Sequence, residues 1–159
     1  MVLLYPVPLL HNQLNAGIKS RSAGISQTPS GGITMTEQTN RARAYDPQDL
    51  ERLLISRQHA GDVDGMAALY EPESLLDSGR MPLTQGREAI RELFAELVAT
   101  GRKFQAGEQR PALVCGDLAL TSTRLPDGTV TAEVARRQKD GSWLWVIDQF
   151  SLATKVERD

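Results

Sequence analysis

The sequence predicts an α+β domain in which three helices, with a short hairpin among them, come first and an antiparallel meander follows. Three observations support this order. Apolar residues between 46 and 101 recur at helical spacing, whereas those after 103 follow the alternation of strands. Two short turns that contain glycine separate the last strands, as in hairpins. Because helices and strands are segregated along the chain, the class is α+β rather than α/β.

Capping residues mark the ends of the predicted helices. Asp46 is suited to cap the first helix, with Pro47 in its first turn, and Gly61 is suited to end it. Asp62 can cap a second helix that runs until Pro72. The third helix, which ends near residue 101, has the clearest apolar stripe: Ile90, Leu93, Phe94, Leu97 and Val98.

Two tight turns organise the predicted sheet. Pro126, Asp127 and Gly128 form a three-residue turn, and Asp140 and Gly141 form a two-residue turn. The segments predicted to be strands are 74–77, 103–114, 118–125, 129–138 and 142–153.

The turns also predict which residues face each other across strands. Thr121 is expected opposite Glu133, Arg136 opposite Trp145, and Glu133 opposite Asp148. One face would hold Leu118, Leu120, Ser122, Val130, Ala132, Val134, Arg136, Trp143, Trp145, Ile147 and Gln149. The other would hold Ala119, Thr121, Thr123, Thr131, Glu133, Ala135, Leu144, Val146, Asp148 and Phe150.

Neither predicted face is purely polar, so both faces need to be covered. Three helices can cover one face. A second copy of the chain is the simplest cover for the other, which predicts a homodimer formed through the outer sheet face.

Charge and composition restrict the partners. A net charge of −2 with scattered arginines argues against nucleic acid, since phosphate binding needs a basic stripe. One cysteine, Cys115, excludes an intrachain disulfide and fits the cytoplasm, and its apolar neighbours predict a buried thiol. With two histidines and this one cysteine, a zinc site is not expected. No other metal and no organic cofactor is implied.

The first part of the chain differs from the rest. Residues 1–44 lack periodicity and are predicted to be disordered, with Met35 as an alternative natural start. The apolar run at 1–10 is too short for a membrane span, so no membrane partner is expected. The folded domain is predicted to cover 45–154, followed by a flexible tail at 155–159.

Three passages carry a family resemblance: AGDVDGMAALY at 60–70, QGREAIR at 85–91, and VARRQKDGSW with DQFS between 134 and 151. They resemble the nuclear transport factor 2-like superfamily, in its SnoaL-like and ketosteroid-isomerase-like branch. The resemblance implies a cone in which a strongly bent antiparallel sheet wraps three N-terminal helices around an apolar pocket. It also implies dimerisation through the outer face, and it places the face with Leu120, Val134 and Ile147 inside the cone.

On that reading, two charged residues are candidates for catalysis. Asp77, at the end of the first strand, could act as a general base, and Arg136 could stabilise developing negative charge. The alternatives are that Asp77 is a turn residue and that the Arg136 stem packs on an indole with its head in water. The ligand-binding candidates are Gln58, Ser122, Trp145 and Gln149. Glu133 and Asp148 form a facing acid pair, which can indicate catalysis, but an outward position with a partner arginine is expected.

Two functions follow from the resemblance. The first is a pocket for a small hydrophobic molecule, with cofactor-independent isomerase, lyase or hydrolase chemistry. The second is a non-catalytic ligand-binding or dimerisation domain of the same fold. Steroid isomerisation in the form known for the branch is not expected, because its tyrosine and neutral acid fall on Leu54 and Val134 here.

Overall fold

The computed structural model describes residues 41–79 and 82–153. These ranges contain three helices, α1 (Asp49–Ala60), α2 (Val63–Ala67) and α3 (Arg87–Ala99). The strands are β1 (Tyr70–Asp77), β2 (Thr84–Gln85), β3 (Glu108–Gln109), β4 (Leu113–Cys115), β5 (Leu118–Arg124), β6 (Val130–Arg137) and β7 (Trp143–Ala153). The predictions made for residues 1–40 and 154–159, including a start at Met35, lie outside the described residues.

The helix caps follow the predicted signals, but α2 ends at Ala67, well before the predicted end at Pro72, and β1 begins at Tyr70, before the predicted strand start at residue 74. Gly61 ends α1 with φ 72°, and the Asp62 side chain caps α2 by accepting from the Gly65 amide at 2.9 Å. α1 begins at Asp49, later than predicted, because Asp46 forms a turn with Gln48 first. None of the helices in the described ranges has the length and hydropathy needed to cross a bilayer.

The folded domain begins before the predicted boundary at residue 45. Ala44 is 1% exposed and belongs to the hydrophobic core. Its carbonyl accepts from the Trp143 amide at 2.8 Å, which ties this segment to the start of β7.

The α+β class is confirmed, and the helices pack against a strongly curved sheet. The strand order is β2-β1-β7-β6-β5-β3, with β4 also paired to β5. β5, β6 and β7 form the predicted antiparallel meander, but β1 pairs with β7 in parallel, so the sheet is mixed. The predicted strand at 103–114 is split into β3 and β4 around Pro111, which has no amide hydrogen for the ladder.

The β6–β7 hairpin departs from the regular predicted register at three places, the last of them a shift between Val130 and Ala132 that pairs Val130 with Ala153. Its turn has three residues, since the Gln138 amide donates to the Ser142 carbonyl at 2.7 Å. Arg136 therefore pairs with Leu144 and not with Trp145. Further along, a β-bulge leaves Val146 without a partner, and the two one-residue offsets cancel. The predicted pairing of Glu133 with Asp148 is therefore confirmed.

The predicted assignment of the two sheet faces is wrong, except in the first part of β7, where Trp143 and Trp145 lie on the inner face and Leu144 on the outer one. The buried face under the helices carries Ala119, Thr121, Thr123, Glu133, Ala135 and Asp148. Leu118, Leu120 and Ile147 are instead 44%, 44% and 46% exposed. Aliphatic residues lie on both faces, so hydrophobicity alone does not select the inner one. The inner face is the one with small and hydroxyl-bearing residues, which leave room for the helices.

Cys115 is exposed, so the expected burial of its thiol is also wrong. It ends β4, a strand that pairs only with β5 among the described residues and that carries two further exposed apolar side chains, Leu113 and Val114.

Two alanines of β6 test this face assignment. Ala135 is fully buried, so Ala135→Leu is expected to overpack the core and lower the free energy of unfolding by about 1–3 kcal/mol. Ala132 points to the other face, and Ala132→Leu is expected to change it by less than about 0.5 kcal/mol. Urea unfolding of both variants measures the difference, and the reverse order would contradict the assignment.

Candidate functional site

A mainly apolar cavity of about 150 Å³ lies between α1 and the buried sheet face. Its apolar walls come from the helix, from the loop after α3 and from the meander. The apolar lining residues are Leu54, Ile55, Phe104, Leu125, Trp145 and Phe150, and the polar ones are Glu51, Gln105, Thr131, Glu133 and Asp148. No lysine, arginine or histidine lines it among the described residues.

The facing acids Glu133 and Asp148 are the chemical centre of this cavity. Both are buried, 8% and 2% exposed. The Tyr70 hydroxyl donates to Asp148 Oδ2 at 2.5 Å. Glu133 accepts from the Thr121 hydroxyl at 2.7 Å and from the Thr131 hydroxyl at 2.5 Å. The acid pair is therefore hydrogen-bonded by neutral hydroxyl groups and not by the arginine that the sequence suggested.

This environment favours the protonated form of Asp148. Burial raises its pKa well above the usual range, the charges of Glu133 and Glu51 add to the shift, and the Tyr70 hydrogen bond opposes it. Burial also raises the pKa of Glu133, against the hydrogen bonds from Thr131 and Thr121. The pair titrates as a unit, and we expect Asp148 to keep its proton to the higher pH.

Burial and the neighbouring Asp148 raise the pKa of the Tyr70 phenol well above its ordinary value, so Tyr70 acts as a neutral donor. Its ring lies 5.1 Å from that of Trp145, which is 2% exposed. The indole Nε1 of Trp145 has no hydrogen-bond partner among the described residues. A buried donor of this kind is costly unless something accepts from it, and a ligand oxygen could do so.

Glu51 is a third acid at the cavity, and its carboxylate already has hydrogen-bond partners. Its Oε2 accepts from the Thr123 hydroxyl at 2.5 Å and from the Gln109 amide at 2.7 Å. In the described part of the chain, no group of three or more acid, histidine or cysteine side chains is arranged to hold a metal ion.

Of the residues predicted for the site, Trp145 lines the cavity. Gln58 is buried at 1% exposure, but its amide donates to the Arg102 carbonyl at 2.6 Å and accepts from the Phe104 amide at 3.2 Å. Both ends of its side chain thus hold the loop after α3, so Gln58 shapes the cavity wall from behind.

The other predicted residues do not line the cavity. Asp77 accepts from the Gly79 amide at 2.8 Å, as a turn residue does, and lies 3.4 Å from the Gln149 amide nitrogen. Arg136 is half exposed and lies 3.5 Å from Glu71. Ser122 and Gln149 both pair with Ala132, on the face that points away from the helices. The predicted inward positions of Arg136, Ser122 and Gln149 are therefore wrong. The catalytic roles of Asp77 and Arg136 stay predictions that this placement does not favour.

The sequence predicts that Glu133 and Asp148 face each other but places them on the outer face of the sheet. One signal for an inner position was available: threonines flank Glu133 on its own strand and across from it, at 131 and 121, and these can hold a buried carboxylate. The bulge at Val146 was not visible in the sequence, and without it the acids and Trp145 fall on opposite faces.

No protein-family model matches this sequence, and no curated protein matches it. Solved structures do match it. A domain of unknown function with a cystatin-like fold from Nostoc punctiforme PCC 73102 has 18% identity and a TM-score of 0.58, over 79% of this chain and 83% of that chain. An NTF2-like protein of unknown function from Pseudomonas putida KT2440 has 18% identity and a TM-score of 0.51, over 69% and 86%.

A third match is a candidate dehydratase of the NTF2-like family from Streptomyces avermitilis, with 17% identity and a TM-score of 0.53 over 64% of this chain and 89% of that chain. At such identities the likeness shows the fold alone. The chain has the NTF2-like fold, as its sequence motifs indicated.

The substitution Asp148→Asn tests the buried acid. Because the folded-state pKa of Asp148 is raised, its contribution to stability is full below the unfolded pKa of about 3.9 and is lost as pH rises through the folded pKa. The asparagine side chain does not titrate and can still accept from Tyr70. The stability of the variant relative to the wild type is therefore expected to increase with pH above about 4, by at most about 1.4 kcal/mol per pH unit.

Urea unfolding between pH 4 and 9 measures this slope, with Asp127→Asn as the control. Hydrogen bonds from Thr129 lower the pKa of the exposed Asp127, so its variant is expected to show a constant difference above about pH 5. A pH-independent difference for Asp148→Asn would contradict the assignment.

Proposed function

We propose that the apolar cavity binds a small, largely apolar organic molecule and that Asp148 and Glu133 act on it as general acid and general base. The observation that carries this proposal is a buried acid pair, without a basic partner among the described residues, that lines an apolar cavity. Paired carboxyl groups whose surroundings raise their pKa values are typical of acid–base sites.

The two acids suit proton transfer at adjacent atoms of a ligand. Protonated Asp148 would donate to a carbonyl, hydroxyl or ring oxygen, while ionised Glu133 would remove a proton from the neighbouring carbon or from a water molecule. For a dehydration, Asp148 protonates the departing hydroxyl and Glu133 takes the carbon proton. One proton passing back from Glu133 to Asp148 restores the site.

In an isomerisation, Glu133 removes a carbon proton and returns it to a different carbon while Asp148 hydrogen-bonds the ligand oxygen. In a hydrolysis, Glu133 takes a proton from the attacking water, Asp148 protonates the leaving oxygen, and the same proton return from Glu133 to Asp148 restores the site. None of the three reactions needs a cofactor.

Residues around the two acids support their proposed roles in proton transfer. Tyr70 holds Asp148 by its hydroxyl and is a positioning residue. Trp145 lines the cavity, and its indole N–H has no acceptor among the described residues. Pockets for drug-sized ligands usually exceed about 300 Å³, so a cavity of about 150 Å³ indicates a small ligand.

A non-catalytic binding domain is the second candidate. The interior beside the cavity is filled by Tyr70, Phe94 and Trp145, with the Tyr70 ring 5.7 Å from Phe94 and 5.1 Å from Trp145. An interior filled by aromatic rings favours a domain that binds a ligand or a partner without catalysing a reaction.

The outer sheet face supports the proposed homodimer. Leu113, Leu120, Val134, Ile147 and Leu75 are consecutive partners across β4, β5, β6, β7 and β1, and form one apolar row on that face. Leu113 is 69% exposed and Ile147 is 46% exposed. Rows of this kind on soluble domains mark interaction sites, and a two-fold dimer would cover them in both copies. The single cysteine fits a reducing compartment such as the cytoplasm.

Activity of acid variants tests the catalytic proposal. A thermal-shift panel of small hydrophobic carbonyl compounds and lactones identifies ligands, and product analysis by mass spectrometry then measures turnover. For a compound that is turned over, Glu133→Gln and Asp148→Asn are each expected to lower kcat about 10²–10⁴-fold. Asp77→Asn is the control and is expected to retain it.

Loss of turnover in Asp77→Asn with full activity in Glu133→Gln would overturn the assignment of the acids. Compounds that bind without any turnover would instead favour the binding-domain alternative.

Substitution of Ile147, near the middle of the apolar row, tests the dimer. Ile147→Lys is expected to convert a dimer into a monomer because it places an uncompensated charge in the buried interface. Leu83→Lys is a matched control, since Leu83 is 52% exposed and lies outside the row. Sedimentation velocity measures the mass, and a wild-type monomer or a dimeric Ile147→Lys variant would contradict the proposal.

A further inference from the structure

A second cavity, of about 400 Å³, lies where residues 41–44 pass the closed end of the β6–β7 hairpin. It shares no lining residue with the acidic cavity. Four arginines line it, Arg41, Arg43, Arg57 and Arg87, against one carboxylate, Asp140. The first cavity thus presents acids to a ligand, and the second presents guanidinium groups.

Two of the four arginines have carboxylate partners. Arg41 binds Asp62 through two hydrogen bonds of 3.0 and 2.8 Å. Arg43 pairs with Asp140, and both side chains are largely exposed. These two pairs leave the positive charges of Arg57 and Arg87 without a matching carboxylate among the described residues.

Neutral backbone carbonyls hold the remaining two arginines. Arg57 donates to the Gly65 and Ala42 carbonyls, each at 2.5 Å. Arg87 donates to the Tyr70 carbonyl through Nε at 2.8 Å and Nη2 at 2.5 Å. A guanidinium has five N–H donors, so each group keeps donors without an acceptor in the described part of the chain. The carbonyls fix both groups in place and supply no negative charge.

The arrangement of Arg57 is electrostatically costly. Burial lowers the pKa of its guanidinium, Asp62 opposes this shift, and the positive charge of Arg41 adds to it. A bound anion would offset both unfavourable effects, because it supplies negative charge and hydrogen-bond acceptors to the half-buried guanidinium groups.

We infer that this cavity is a binding site for a small oxyanion, a carboxylate or phosphate group of a free ligand, held by Arg57 and Arg87. Fixed, planar guanidinium groups match the two oxygens of such an anion. Asp140 lines the same cavity and opposes the anion, while its pairing with Arg43 keeps that arginine from the ligand.

Titration of the full-length protein tests the site. Inorganic phosphate and succinate, each against sodium chloride at the same ionic strength, separate a phosphate from a carboxylate preference. Binding is followed by the melting temperature and by the NMR signals of the arginine Nε–H groups. Saturable binding of at least one probe, with shifts at Arg57 and Arg87, is expected.

Three variants decide the assignment. Arg57→Gln and Arg87→Gln are each expected to weaken binding by about tenfold or more, because a charge-assisted hydrogen bond is lost. Asp140→Asn is expected to tighten it by about fivefold, since a negative charge leaves the cavity. The asparagine oxygen can still accept the Ser142 amide and hydroxyl bonds that Asp140 now accepts, so the turn is kept. Arg124→Gln, at the exposed last position of β5 and outside the cavity, is the control for net charge and is expected to bind as the wild type does.

Absence of saturable binding by both probes would overturn the inference. So would equal affinities for Arg87→Gln and Arg124→Gln, or weaker binding by Asp140→Asn. If Arg57→Gln does not fold, which circular dichroism shows, the Arg87 and Asp140 variants still decide the matter.

Discussion

The β-bulge at Val146 determines which side chains of β7 point to the helices. Before the bulge, Trp143 and Trp145 point to the helices, and after it Asp148 does. In a regular strand, Trp145 and Asp148 would lie on opposite faces, since side chains alternate. The cavity needs the indole, the acid and the facing Glu133 together, so its chemistry depends on this interruption. β-Bulges are common next to active sites because they redirect side chains in this way.

Electrostatics then divides the molecule into regions of different character. The interior cavity has acids held by hydroxyl groups, which favours a retained proton and disfavours anionic ligands. The cavity beside residues 41–44 has guanidinium groups held by carbonyls, which favours anions. The outer face has an apolar row that crosses five strands. The fold accommodates all three because the curved sheet separates its two faces and the hairpin end lies apart from both.

The sequence predicted the order of elements, the caps at Gly61 and Asp62 and the facing of Glu133 and Asp148, because these depend on local signals and on turn chemistry. It did not predict the inner face. Both faces carry aliphatic residues, and the hairpin turn proved one residue longer than the Asp140–Gly141 pattern suggests. Because the bulge compensates for that extra residue, the predicted pairing of Glu133 with Asp148 is correct. The predicted positions of Arg136 and Gln149 on the inner face are wrong. The inner face is selected by the packing of the helices on small residues such as Ala119 and Ala135. This packing is tertiary, so no local sequence pattern predicts it.

The protonation state of Asp148 is the most direct test, since a neutral acid requires the bulge, the burial and the neighbouring carboxylate together. The ¹³C NMR shift of its side-chain carboxyl carbon, assigned by its absence in an Asp148→Asn sample, can be followed as pH rises. The account predicts that the signal keeps the value of a neutral acid well above pH 4 and that its titration midpoint lies far above the ordinary pKa of about 3.9. A midpoint at or below that ordinary value would show a solvated or cation-paired carboxylate and would contradict the proposed site.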